Sequence, residues 1–122
     1  MRSGYRLLLL SVLGSLAVSS AAQAQINPFR GKQTRLSSED LTIMNRTAAD
    51  LYQADGIAPG SSAPWDNPKT GNSGVVSIRN TSTQHGMLCH LVNYQVRVKG
   101  VANPRNYDVT WCRTSSGEWR IR

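Results

Sequence analysis

Two cysteines constrain this chain most, because each sits in a run whose side chains alternate. Met87–Lys99 carries Cys89 and Tyr107–Arg113 carries Cys112, both with the period-two pattern of a half-buried strand. Gly100–Asn106 turns the chain between them. Pairing Tyr94 with Tyr107 and continuing outward brings Val92 to Val109, His90 to Trp111, Cys89 to Cys112 and Leu88 to Arg113. In that register Leu88, His90, Val92, Tyr94, Val96 and Val98 share a face with Tyr107, Val109 and Trp111. Cys89, Leu91, Asn93, Gln95 and Arg97 share the other face with Asp108, Thr110 and Cys112. Opposed Cβ atoms of antiparallel neighbours lie about 4.5–5.5 Å apart, close enough for a disulfide after slight adjustment.

Whether two thiols become a disulfide depends on the compartment, and the first 24 residues bear on it. Arg2 and Arg6 form a basic start, Leu7–Leu10 with Val12 and Leu13 an apolar core, and Ala22-Gln23-Ala24 a small-x-small cleavage site. Residues 1–24 therefore read as a cleaved signal peptide. The apolar run is too short and too soon interrupted to span a bilayer, so no transmembrane segment is expected after cleavage. No cysteine follows the apolar core, so the usual lipoprotein acylation point is missing, and the mature chain is expected to begin at Gln25. An exported chain with two cysteines is expected to oxidise them. The rivals are a reactive thiol pair and a metal site using His85, Cys89 and His90. A redox pair wants a close Cys-x-x-Cys. Zinc wants four ligands, and neighbouring strand residues point to opposite faces. Closing a loop of this size contributes on the order of 3 kcal/mol in the chain-entropy account.

The 98 residues after position 24 suffice for one small domain, with a thin core. Residues 25–36 read as a flexible lead and 37–122 as the domain. Ser37 with Asp40 gives a helix-capping signal. Leu41, Met44, Ala48, Leu51 and Tyr52 then follow at helical spacing, and Gly56 with Pro59-Gly60 stops the helix. The expectation is an α+β fold: one amphipathic helix over about 38–55, a proline- and glycine-rich loop over 57–74, and a four-stranded antiparallel meander. Its strands start at Val75–Arg79 and end at Glu118–Arg122.

Chemistry is less legible. The mature chain carries twelve Lys and Arg against seven Asp and Glu, which favours anionic surfaces. The basic residues are dispersed, so no patch and no specific nucleic-acid partner is implied. His85 falls in a turn and His90 on the apolar face, so neither a convergent acid–base pair nor any cofactor is read here. The stretch Trp65-Asp66-Asn67-Pro68-Lys69-Thr70-Gly71-Asn72-Ser73-Gly74 reads as a turn feeding a strand. Asn67-Pro68 holds the chain extended, Gly71 and Gly74 permit positive φ, and Trp65 lies over the sheet as an apolar lid. The other reading is a nest of backbone N–H groups around Gly71–Gly74 for an anion, but no P-loop Lys-Ser/Thr and no helix follows.

Trp65, Asn67, Pro68, Thr70, Gly71 and Gly74, followed by Cys112, Arg113, Gly117 and Trp119, resemble the C-terminal domain of the bacterial 17 kDa surface antigen family over about residues 58–122. The resemblance implies an envelope protein known by location and antigenicity, not by a reaction. Many members add an acylated N-terminus and a glycine-rich segment, which this chain does not show. His90 stands where the resemblance leads one to expect Arg. In a bacterial protein the triplets Asn45-Arg46-Thr47 and Asn80-Thr81-Ser82 match a glycosylation signal by chance. The expected function is a non-enzymatic exported envelope or surface protein with a structural or interaction role. Its partner would be an unidentified envelope component, an anionic one being open. The alternative is a periplasmic binding or inhibitor module for an acidic partner or an exported hydrolase; a small basic hydrolase is a third, weaker option.

Overall fold

The computed structural model describes residues 35–122. The expected signal peptide, and the lead up to residue 34, lie outside the described residues.

Helix α1 (Ser38–Tyr52) starts where the capping signal places it. Ser37 Oγ accepts from Asp40 N–H at 3.0 Å, and Ser37 N–H donates back to the Asp40 carboxylate at 2.8 Å. Two backbone donors at the helix start are thus satisfied reciprocally. Asp40, Met44, Ala48 and Tyr52 form one buried stripe, the i, i+4 repeat of a helix lying on a sheet. The helix ends at Gln53, short of the expected 55, and Gly56 takes a positive φ of 68° as the chain turns away. Among the described residues no helix is long and apolar enough to cross a membrane.

The sheet has five strands where four were expected: β1 (Ser62–Asn67), β2 (Asn72–Gln84), β3 (Met87–Arg97), β4 (Arg105–Arg113) and β5 (Trp119–Ile121). All pair antiparallel in sequence order, β1-β2-β3-β4-β5. The extra strand lies within the stretch read as loop. Pro64 and Pro68 argue against a central strand, but an edge strand has one side with no ladder to serve and tolerates Pro. β2 is also longer than expected. A bulge between Ile78 and Asn80 lets it continue past Arg79, placing an extra residue and restoring alternation beyond it.

The β3–β4 register is the predicted one, from Cys89↔Cys112 through His90↔Trp111 and Val92↔Val109 to Tyr94↔Tyr107. Leu88 and Arg113 lie just beyond the last pair. Cys89 and Cys112 form a disulfide with Cα atoms 4.1 Å apart, and both are buried. The helix packs chiefly on β1 and β2. Met44 and Ala48 meet a core of Trp65, Val76, Ile78, Val92, Tyr94 and Val96. Leu36, in the expected lead, packs against the same core. Inside it, Trp111 Nε1 donates to Tyr94 Oη at 2.8 Å, and burial raises the Tyr94 phenol well above its usual value.

Candidate functional site

The polar residues of the 65–74 stretch converge on the first turn of α1. Asp40 is fully buried, a position that an ionised carboxylate tolerates only when its lone pairs are filled. They are filled. Asn67 Nδ2 and Thr70 Oγ1 donate to Oδ1 at 2.8 and 2.7 Å. Asn72 Nδ2 and the Ser37 N–H donate to Oδ2, each at 2.8 Å. Two donors on each oxygen account for the usual acceptor capacity of a carboxylate. Burial pushes the pKa upward, but the bonds from Thr70, Ser37, Asn72 and Asn67 together outweigh it and hold Asp40 at about 2.

The donors are themselves held. Asn67 Oδ1 accepts from Lys69 N–H at 3.1 Å, Thr70 Oγ1 from Asn72 N–H at 3.2 Å, and Asn72 Oδ1 from Lys99 N–H at 3.0 Å. Thr70 N–H and Gly71 N–H close the β1–β2 turn onto Asn67 O, with Gly71 at φ 76°. Thus the turn does hold an anion, and that anion is a side chain of its own domain. Gly71 and Asn72 spend their N–H groups internally, so the nest proposed for an external anion does not form there.

Gly74 departs from its expected role. It has no positive φ. Its smallness is what matters, since a Cβ there would run into the Gln95 carbonyl oxygen and stand 2.7 Å from Trp65 Nε1. Trp65 is paired across from it and is buried within the core.

The C-terminal motif fastens the other end of the helix. Tyr52 stacks on Trp111 with centroids 4.8 Å apart and meets Trp119 at 5.2 Å. Trp119 in turn stacks on His90 at 5.4 Å, and the Arg113 guanidinium stands 6.0 Å from the Trp119 ring. Gly117, at φ 88°, donates its N–H to Thr114 O and turns the chain into β5. His90 is buried, as its place beside Trp111 suggested, and its Nδ1 lies 2.9 Å from Thr81 Oγ1. Burial, aided by the charge of Arg113, pushes its pKa below the ordinary value. Among the described residues, no group of three or more His, Cys, Asp or Glu is placed to hold a metal.

The two halves of the motif therefore meet on one architecture, each clamping one end of α1. The family model described as 17 kDa outer membrane surface antigen matches residues 54–120. The chain belongs to that family. No curated protein and no solved structure matches it. In this surface antigen domain Asn67, Thr70 and Gly71 hold the Asp40 carboxylate or its turn, Gly74 makes room for the Gln95 backbone, and Gly117 and Trp119 form the β4–β5 turn and the aromatic stack beside it. Pro68 is exposed in the turn that follows β1. The central residue, Asp40, lies upstream of the matched segment. Read alone, it was only a helix cap. The available signal was a run of polar residues with uncharged donors at 67, 70 and 72 beside apolar strand positions. Such a run calls for a buried acceptor.

Proposed function

We propose that this surface antigen is a non-enzymatic envelope protein that meets another envelope component through the uncovered face of its sheet. The observation that carries the reading is one-sidedness. Among the described residues α1 is the only element laid on the sheet. The opposite face presents Val75, Ser77, Leu91, Gln95 and Thr110 half-buried beside Arg79, Asp108 and Arg97 exposed. On that face Asn93 Nδ2 donates to Asp108 at 2.9 Å and Arg79 reaches the same carboxylate at 3.7 Å. A solvated face is common on antiparallel sheets, and a mixed polar and apolar one suits a wet, modest interface. The family description supports an exported, envelope-associated address.

The surplus of basic residues favours an anionic component as the partner, and equally favours a second reading, a periplasmic binding or inhibitor module for an acidic partner or exported hydrolase. Crosslinking and pull-down from an envelope extract over a salt series tests both. Retention of an envelope component, weakened as salt rises and abolished by Leu91→Asp on the uncovered face, supports the main reading. Capture of a soluble hydrolase with loss of its activity would replace it with the second.

A further inference from the structure

The two turns at the disulfide end of the sheet enclose a cleft of about 610 Å³, between the β2–β3 and β4–β5 connections. His85, Gly86, Arg113, Thr114, Ser115 and Arg122 contribute to its lining. No aspartate or glutamate lines it. Glu118, in the adjoining turn, is engaged by Arg120 at 2.8 Å. Neither Arg113 nor Arg122 forms an ion pair among the described residues. The Arg113 guanidinium stands 6.0 Å from the Trp119 ring, and Arg122 reaches Met87 Sδ at 3.9 Å.

His85 stands at the mouth of the cleft in the left-handed region, φ 49°, followed by Gly86 at 76°. Two successive positive φ angles make the two-residue turn that Asn-Gly favours. A histidine there is the less comfortable choice, and it sets an imidazole beside two guanidinium groups. The disulfide joins β3 to β4 near both turns. The backbone segments that carry His85 and Arg113 are thereby tied together, and preorganised donors lose less on binding.

We infer that this cleft binds a phosphate group, with Arg113 and Arg122 as charged donors and His85 and Ser115 completing the ring. Guanidinium forks match phosphate oxygens in geometry and charge, and no aspartate or glutamate side chain in the cleft competes for them. The inference rests on the reading of an anionic envelope partner and assigns it a site separate from the uncovered sheet face. Lipid headgroups and free phosphates share this chemistry.

Inorganic pyrophosphate, titrated at constant ionic strength into the isotopically labelled full chain, is the first probe. The expected result is saturable shifts confined to the amides of Gly86, Thr114 and Ser115. Affinity should fall about tenfold or more in Arg122→Gln and in Arg113→Gln, and less in His85→Asn, which suits the turn. Arg46→Gln, exposed on α1 and away from both the cleft and the uncovered sheet face, should bind as the unaltered chain does. Thermal midpoints show whether Arg113→Gln remains folded; Arg122→Gln carries the test if it does not. The second probe is sedimentation with phosphatidylcholine vesicles, with and without phosphatidylglycerol. Binding to the anionic vesicles that Arg122→Gln abolishes identifies a headgroup. Pyrophosphate binding without vesicle binding identifies a free phosphate. Weak shifts spread over the whole basic surface, or equal losses in Arg46→Gln and Arg122→Gln, overturn the site. If salt-sensitive retention of an envelope component persists while the cleft binds nothing, the site falls and the proposed function stands.

Discussion

At the scale of single residues, the domain depends on one buried carboxylate, Asp40. Replacing Asp40 by Asn keeps the shape but turns one of its two acceptor oxygens into a donor, set against either Asn67 and Thr70 or Asn72 and the Ser37 N–H. Buried donors left against a donor lose their partner and their hydration together. Asp40→Asn should therefore destabilise the fold by about 2–4 kcal/mol, measured by urea unfolding, with far-UV circular dichroism showing that the folded state is retained. A cost under about 0.5 kcal/mol would mean the clasp is ornamental. Gly74→Ala tests the close approach of β1, β2 and β3 instead. Its methyl group has no room beside the Gln95 backbone, and a backbone clash cannot be relieved by a rotamer change. The variant should lose more than about 3 kcal/mol or fail to accumulate as folded protein. An unchanged midpoint would refute that packing account.

At the scale of elements, the central hairpin was legible and its neighbours only in part. Alternation on both sides of Cys89 and Cys112 separates apolar from polar faces, setting the two cysteines opposite one another picks one register, and the chain adopts it. The helix was legible from its cap and its four-residue stripe. β1 was not, because Pro64 and the Asn67-Pro68 step carry loop signals, and only pairing to β2 makes a strand of them. The Asp40 clasp was illegible for a related reason: its members sit about thirty positions apart and share no periodicity. The disulfide gives this scale its prediction. Cys112→Ser removes the link with little loss of volume, and should cost roughly 2–4 kcal/mol, chiefly by loosening the unfolded chain. Cys89→Ser/Cys112→Ser should be no worse than either single change, since one bond is lost in each case. Thiol labelling of unfolded, unreduced protein should count no free thiol in the parent chain and one in Cys112→Ser. Two free thiols in the parent would refute the link.

At the scale of the whole molecule, acid should lower the stability of the domain in two steps. His90 has a folded pKa below its ordinary 6.5, so the unfolded chain takes up that proton more readily. Its contribution is whole above about pH 6.5 and declines as pH falls below it. Asp40 is lowered from 3.8 to about 2, so its contribution of about 2 kcal/mol is whole above about pH 4 and is lost as pH falls through 2. Chemical unfolding at a series of pH values should show both declines, the lower one missing in Asp40→Asn. A parent curve flat between pH 4 and 2 would contradict the clasp's energetics. The sheet's order has a further consequence. Each strand pairs with its neighbour along the chain, so no strand waits for a distant one. A chain delivered from its N-terminus can then fold as it arrives. The helix comes first, its carboxylate meets all its donors once residue 72 is out, and each later hairpin closes on a sheet already begun. Such sequential pairing keeps the loop closed at each hairpin short, and it leaves the growing edge open only until the next strand covers it.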